Sequence, residues 1–257
     1  MAIANVKELL ESGIHFGTAA SLWHPRNKPY IYGKRNGIHI VDIKETARGL
    51  IQSFYYVAKL AKQNRTVLFV GTKRQARDVV RDAARSVGMP FVTERWLGGT
   101  LTNFETIRRS IRRLDDIEAR MNSAEYARES KKVQARDGRE RRRILRNLEG
   151  VRTMAKLPDA MFVIDPKKEL SAIKEAQRLG IPVIGLVDTD TDPELVNLAI
   201  PGNDDGIRAI QSVVKVIVDG IHKGRAEQVT REEVPAAPAA PVATPAAAAF
   251  PAFPAAK

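Results

Sequence analysis

Thr66-Val67-Leu68-Phe69-Val70-Gly71-Thr72-Lys73-Arg74 is an apolar run that stops at a glycine and turns basic. Val67 to Val70 has no polar interruption, the pattern of a strand buried on both faces. A helix follows, marked by Val79, Val80, Ala83 and Ala84. Such a strand–glycine–helix junction presents free backbone N–H groups and a positive dipole end, which suits an anion. However, Gly71-Thr72-Lys73 lacks the upstream glycine of a phosphate loop, and no G-x-G-x-x-G occurs in the chain. The junction therefore reads as an ordinary βα turn.

The same alternation extends in both directions. Upstream, Ile38 to Val41 predicts a short strand, Asp42 a cap, and residues 43–63 a helix with an apolar stripe through Leu50, Phe54 and Val57. Downstream, strands are expected at 90–93, 160–165 and 181–188, with Pro182 tolerable at a strand start. Helices are expected over 168–179, stopped by Gly180, and over 207–221. Strands alternating with helices imply a parallel sheet covered on both faces.

One long interruption breaks this pattern. Arg95-Trp96-Leu97-Gly98-Gly99-Thr100-Leu101-Thr102-Asn103 leaves the body and runs into a helix with paired arginines, Arg108-Arg109 and Arg112-Arg113. Thr102 and Glu105 have capping-box spacing. Ile107, Ile111, Leu114, Ile117 and Met121 form a stripe that pairs with Ile144, Leu148, Val151 and Met154 at coiled-coil steps. An inserted antiparallel helical hairpin is expected, turning near Asn122-Ser123, with a second break at Asp137-Gly138. Residues 1–103 and 154–226 would then form the α/β domain, 104–153 the hairpin, and 227–257 a disordered or polyproline-like tail of alanine and proline.

Charge points to the partner. Residues 104–156 hold 16 lysines and arginines against 9 acids, a net +7 of the whole chain's +12. So dense a positive segment, dominated by arginine, implies a polyanion whose phosphates its planar forks can hold. Phosphate contacts are assigned first to Arg108, Arg109, Arg112 and Arg113, then to Arg26, Lys28, Lys73, Arg74 and Arg95. The stretch from His15 to Tyr30 reads as a loop mixing aromatics with cations. It is either an RNA-contacting arm or a basic loop whose rings tuck under the body.

Several classes fall away. The chain has 257 residues, 44% hydrophobic, and no cysteine, which excludes disulfides and cysteine-ligated metals. No apolar stretch is long enough to span a membrane, and the amino terminus has no signal-peptide core, so a cytoplasmic protein is expected. The four histidines, 15, 24, 39 and 222, lack metal-ligand spacing, and no G-x-S-x-G occurs. Asp188-Thr189-Asp190-Thr191-Asp192 imitates a calcium loop, but Pro193 and Ala199 stand where its glycine and glutamate belong. Asp188 with Asp204 or Asp205 remains a candidate magnesium pair at a sheet edge, against helix capping and loop solvation as the plainer reading. No cofactor is required.

His15-Phe16-Gly17, Trp23 to Ile31, Val67 to Lys73, Arg95 to Asn103, Leu157 to Asp165, Gly180 to Thr189 and Ile200 to Asp205 together resemble the bacterial small-subunit ribosomal protein S-two family. They lie in family order across about residues 1–225. The resemblance implies a flavodoxin-like α/β domain with an inserted helical hairpin, a structural role in the small ribosomal subunit, and binding to its ribosomal RNA. It also implies docking of protein S-one, which helps present messenger RNA in translation, and contacts with neighbouring small-subunit proteins. No homo-oligomer and no membrane partner are expected. The family commonly has histidine where Thr18 stands, so a metal role at that position is not carried over. The alternative is an RNA-acting enzyme on an α/β nucleotide-binding fold, which the missing glycine fingerprint and catalytic cluster argue against.

Overall fold

The computed structural model describes residues 5–123 and 126–232. Five parallel strands form the main sheet: β4 (Val67–Val70), β5 (Phe91–Val92), β6 (Ala160–Ile164), β7 (Val183–Val187) and β8 (Leu198–Pro201). Their order is β5-β4-β6-β7-β8, the doubly wound flavodoxin-like order, with its switch point between β4 and β6. A separate antiparallel sheet, ordered β1-β3-β2, comprises β1 (Phe16–Ala19), β2 (Ile31–Arg35) and β3 (Ile38–Val41). It is tied to the main body where His24 N–H donates to the Thr189 carbonyl at 2.8 Å.

Alternation along the central strands builds two cores. Val67, Phe69, Phe162, Ile164, Ile184 and Leu186 point to one side. There they meet α2 (Ile43–Lys62), α3 (Arg77–Ser86) and α7 (Ile207–Glu232), while α1 (Val6–Glu11) adds Leu9. Leu68, Val70, Met161, Val163 and Val183 point to the other, where α6 (Leu170–Arg178) packs through Ala172, Ile173 and Ala176. Every residue of β4, β6 and β7 is buried. Their uninterrupted apolar runs follow from being covered twice.

The insertion grows out of the second core. α4 (Phe104–Met121) and α5 (Lys131–Leu148) pack together, and Ile107, Ile111 and Leu148 join the sheet-facing cluster. From Arg113–Glu140 to Arg120–Asp137 the ion pairs step forward along α4 and backward along α5, so the two run antiparallel. A 3-10 turn at Glu149–Val151 returns the chain to the body. There a Cβ on Gly150 would collide with the Phe91 carbonyl oxygen, so only glycine permits this approach.

Five local expectations need correction. The proposed capping box does not form: Asn103 is the N-cap of α4 without a side-chain cap bond, because Thr102 turns inward to Glu175. The proposed break at Asp137-Gly138 is absent, and α5 runs through it. Asp137 is fully buried there and takes a salt bridge from Arg120 across the hairpin. The stretch 15–30, read as a loop, contains β1 and a 3-10 turn at Pro25–Tyr30, and β2 follows it. β8 also went unforeseen. Finally, α7 continues to Glu232, past the expected tail boundary at 227; residues 233–257 lie outside the described residues.

Candidate nucleic-acid interface and the carboxylate cleft

The loop from Arg95 to Thr102 owes its shape to Glu175 on α6. One carboxylate oxygen accepts from the Trp96 indole N–H at 3.0 Å and the Gly99 N–H at 2.8 Å. The other accepts from the Leu101 N–H at 3.0 Å, and from the Thr102 N–H and hydroxyl at 3.1 Å each. Gly99 sits at φ +87°, which a side chain would resist, so the N–H groups can converge. Burial alone would raise the carboxyl's pKa, but these donors outweigh it and hold Glu175 below the usual range. The loop that launches the hairpin is thereby fixed by an internal anion.

On α4 the arginine rows stand away from the buried stripe. Arg108, Arg109, Arg112 and Arg113 are all exposed, while Ile107, Ile111, Leu114 and Ile117 are buried. Arg109 pairs with Glu105 at 2.8 Å and Arg113 with Glu140 at 3.3 Å. Arg108 and Arg112 have no acidic partner among the described residues, nor do Arg95, Arg74 and Lys28, which are likewise exposed. Arg26 pairs with Asp192 and Glu194 at 2.6 and 2.9 Å. Near it Asn27 is buried and donates to the Thr189 and Thr191 carbonyls, and Trp23 leans on His39. That basic stretch lies against the body.

Lys73 differs from the other cations. It opens the loop after β4 and reaches a cleft at the carboxyl ends of β4, β6 and β7, lined also by Thr18, Asp165, Asp190 and Asp204. Its ammonium stands 2.6 Å from both Asp204 and Asp205 and 3.7 Å from Asp165. Burial works to lower its pKa, but those carboxylates prevail and raise it. Asp165, Asp204 and Asp205 share this cation, while Asp190 is held by Lys167 at 2.7 Å. Burial, with Asp165 and Asp188 nearby, pushes Asp204 up to about 7 despite Lys73. Burial likewise pushes Asp188 up to about 6, although Thr189 donates to it.

Asp188, Asp204 and Asp205, separate in sequence, do converge: one oxygen from each lies within 4.8 Å of the others. The ammonium of Lys73 already occupies the neighbourhood where a cation would be held. At Thr18, the backbone N–H and hydroxyl both engage the Thr189 hydroxyl, at 2.9 and 2.7 Å. The βα junction after β4 is filled in the same manner as the Glu175 loop. The Thr72 N–H and hydroxyl donate to buried Glu169, whose pKa is raised chiefly by that burial.

Sequence reasoning missed Glu175 and Glu169, since a glutamate on a helix reads as solvent-facing. It also missed Arg77, Arg81 and Arg85, whose four-residue spacing on α3 was a legible signal.

The family model described as Ribosomal protein S2 matches residues 9–224. The small ribosomal subunit protein uS2 of Rhodopirellula baltica is 49% identical over 237 residues, covering 92% of this chain and 91% of that one. Its counterpart from Thermus thermophilus is 50% identical, with 86% of each chain covered. That from Chlorobium chlorochromatii is 46% identical, covering 90% of this chain and 92% of its own. The parallel sheet, the internally filled anion junctions and these matches lead to one assignment: the chain belongs to the ribosomal protein S2 family, whose members are structural ribosomal proteins and not enzymes.

Proposed function

We propose that this chain is a structural constituent of the small ribosomal subunit that grips ribosomal RNA through the arginine rows of its hairpin. The observation that carries this is the two-sided α4. Arg108 and Arg112 are exposed without acidic partners among the described residues, while Ile107 and Ile111 on the opposite stripe pack into the second core. Exposed pairs such as Arg109–Glu105 are worth little in water, so these arginines too can exchange a carboxylate for a phosphate. Arg95, Arg74, Lys28 and Arg26 extend the candidate surface. Lys73 is committed to the carboxylate cleft. Its ammonium supports a cleft without a resident metal, and magnesium would have to compete with it.

Filter binding of the full chain to a small-subunit ribosomal RNA transcript, across a salt series, tests this. Arg108→Gln with Arg112→Gln should lower the salt slope by about two, one for each phosphate no longer neutralised. An unchanged slope would remove these residues from the interface.

Docking of protein S-one is the finer part of the proposal. A groove of about 560 Å³ lined by Val6, Ile43, Ala47 and Ile51 offers apolar area between α1 and α2. Leu10 and Tyr55 on the same helices are exposed. Titration with purified protein S-one should show binding that Ile51→Glu abolishes; equal binding by this variant would place the contact elsewhere.

A further inference from the structure

α3 carries arginine at 77, 81 and 85, four residues apart, so three guanidinium groups lie along one side of the helix. Arg146, from the last turn of α5, meets them across a cavity of about 260 Å³ at the root of the hairpin. Glu94 receives Arg77, Arg81 and Arg146 at 3.3, 3.5 and 3.4 Å, and Arg85 holds Glu149 at 2.6 Å. Four cations thus meet three carboxylates, of which Glu94 and Glu149 line the cavity and Asp78, outside its lining, holds Arg81 at 3.1 Å. The three contacts to Glu94 are long for charged hydrogen bonds. One carboxylate cannot saturate three forks of five N–H donors each. Arg77 is committed to the body, donating also to the Thr72 and Glu94 carbonyls. Arg81, Arg85 and Arg146 retain N–H donors beyond their few protein acceptors.

We propose that this cavity is a phosphate-binding site on the α/β body, separate from the rows on α4, and that it takes a phosphodiester of folded RNA. The inference rests on the RNA-binding reading above. Forks entering from two elements can hold one phosphate from two sides at once, which a row on one helix face does less readily. The walls are already set: the Gly150–Phe91 contact fixes the hairpin root, and Arg85 lies over the Phe91 ring, 5.7 Å from its centre. A site organised before binding loses less ordering entropy. Glu94 acts as a stand-in anion. A phosphate draws Arg81 and Arg146 from it, and Glu94 keeps Arg77. Because α5 also bears exposed Arg139, Arg142 and Arg143, the basic surface continues from the hairpin onto the body.

The test uses the full chain, a small-subunit ribosomal RNA transcript and inorganic pyrophosphate. Arg81→Gln with Arg146→Gln should lower the RNA salt slope by about one. Glu94→Gln should tighten RNA binding and steepen the slope, because it frees donors and removes a negative charge. Thermal melts establish that each variant is folded. If the double variant is not, Arg146→Gln alone takes its place, its side chain being 72% exposed. An unchanged slope in the cavity variant, beside a lowered one in Arg108→Gln/Arg112→Gln, overturns this proposal and leaves the RNA reading standing. No salt-linked RNA binding by the unaltered chain overturns both. Loss of pyrophosphate binding with a full RNA slope assigns the cavity to free phosphate and overturns the RNA assignment. Weaker RNA binding by Glu94→Gln marks a purely structural knot and does the same.

Discussion

Glu175 and Asp204 are both buried carboxylates, yet their surroundings drive them in opposite directions. Glu175 faces the amides, indole and hydroxyl of a single loop, and these neutral dipoles hold it ionised below the usual range. Asp204 accepts from Lys73 alone among the described residues, beside Asp165 and Asp188, and is pushed up to about 7. Burial pushes both upward, and harder at Asp204. At Glu175 five donors overcome that push; at Asp204 the Lys73 ammonium does not, because Asp165 and Asp188 add to it. The first arrangement makes a rigid clamp; the second leaves a cleft that answers to pH.

The sharpest way to break this contrast is Glu175→Leu. It orphans the Trp96, Gly99, Leu101 and Thr102 donors and should cost about 4 kcal/mol in urea unfolding, several unsatisfied donors together. A loss under about 1 kcal/mol would mean the loop holds itself. Next comes Lys73→Met, which leaves the cleft's carboxylates facing one another. A loss of about 3 kcal/mol is expected at pH 8, less at pH 5 where protons replace the ammonium. Magnesium should restore part of the variant's stability and barely change the parent's. Equal stability of variant and parent at pH 8 would show that the cleft is already neutral.

The unaltered chain supplies a smaller signal. Asp188 and Asp204 titrate above their unfolded value of 3.8, so between about pH 4 and 7 the native state binds more protons. Stability therefore falls as pH rises through that window. Glu175 has the opposite sign: its contribution is present above its unfolded pKa and is lost only at lower pH. Melts between pH 8 and 5 should gain about 2 kcal/mol on acidification, and Asp204→Asn should flatten that rise. A flat profile in the parent would place Asp204 with Glu175. Smallest of all is Thr102→Val, which removes one donor of five and should cost about 1 kcal/mol without altering the pH profile.

Both arrangements were unequally visible in the sequence. The central strands were legible because coverage on two faces leaves β4, β6 and β7 without polar positions. β1, β2 and β8 were not, being short and half-exposed, with glycines at 17 and 33 and Pro201 at an end. The α4 arginines could be read directly, since exposure asks nothing of a partner. Glu175 could not, because its role depends on N–H groups that any residue carries. The supposed break at Asp137-Gly138 fails for a related reason: Asp137 is stabilised by Arg120, an acceptor–donor match set by the hairpin's register. Asp188, Asp204 and Asp205, read from the sequence as a candidate magnesium pair, do lie together, but nothing in their spacing placed Lys73 beside them.

The insertion between β5 and β6 also has a kinetic consequence. β4 pairs with β5 on one side and β6 on the other, so its second partner emerges only after the whole hairpin has been made. Closing that gap as a disordered loop would be slow, since loop entropy must be overcome before the non-local pairing forms. Two helices that zip together locally shorten the span, and the Gly150 contact delivers β6 to its slot. The hairpin thus serves the sheet as a folding brace before it serves any partner.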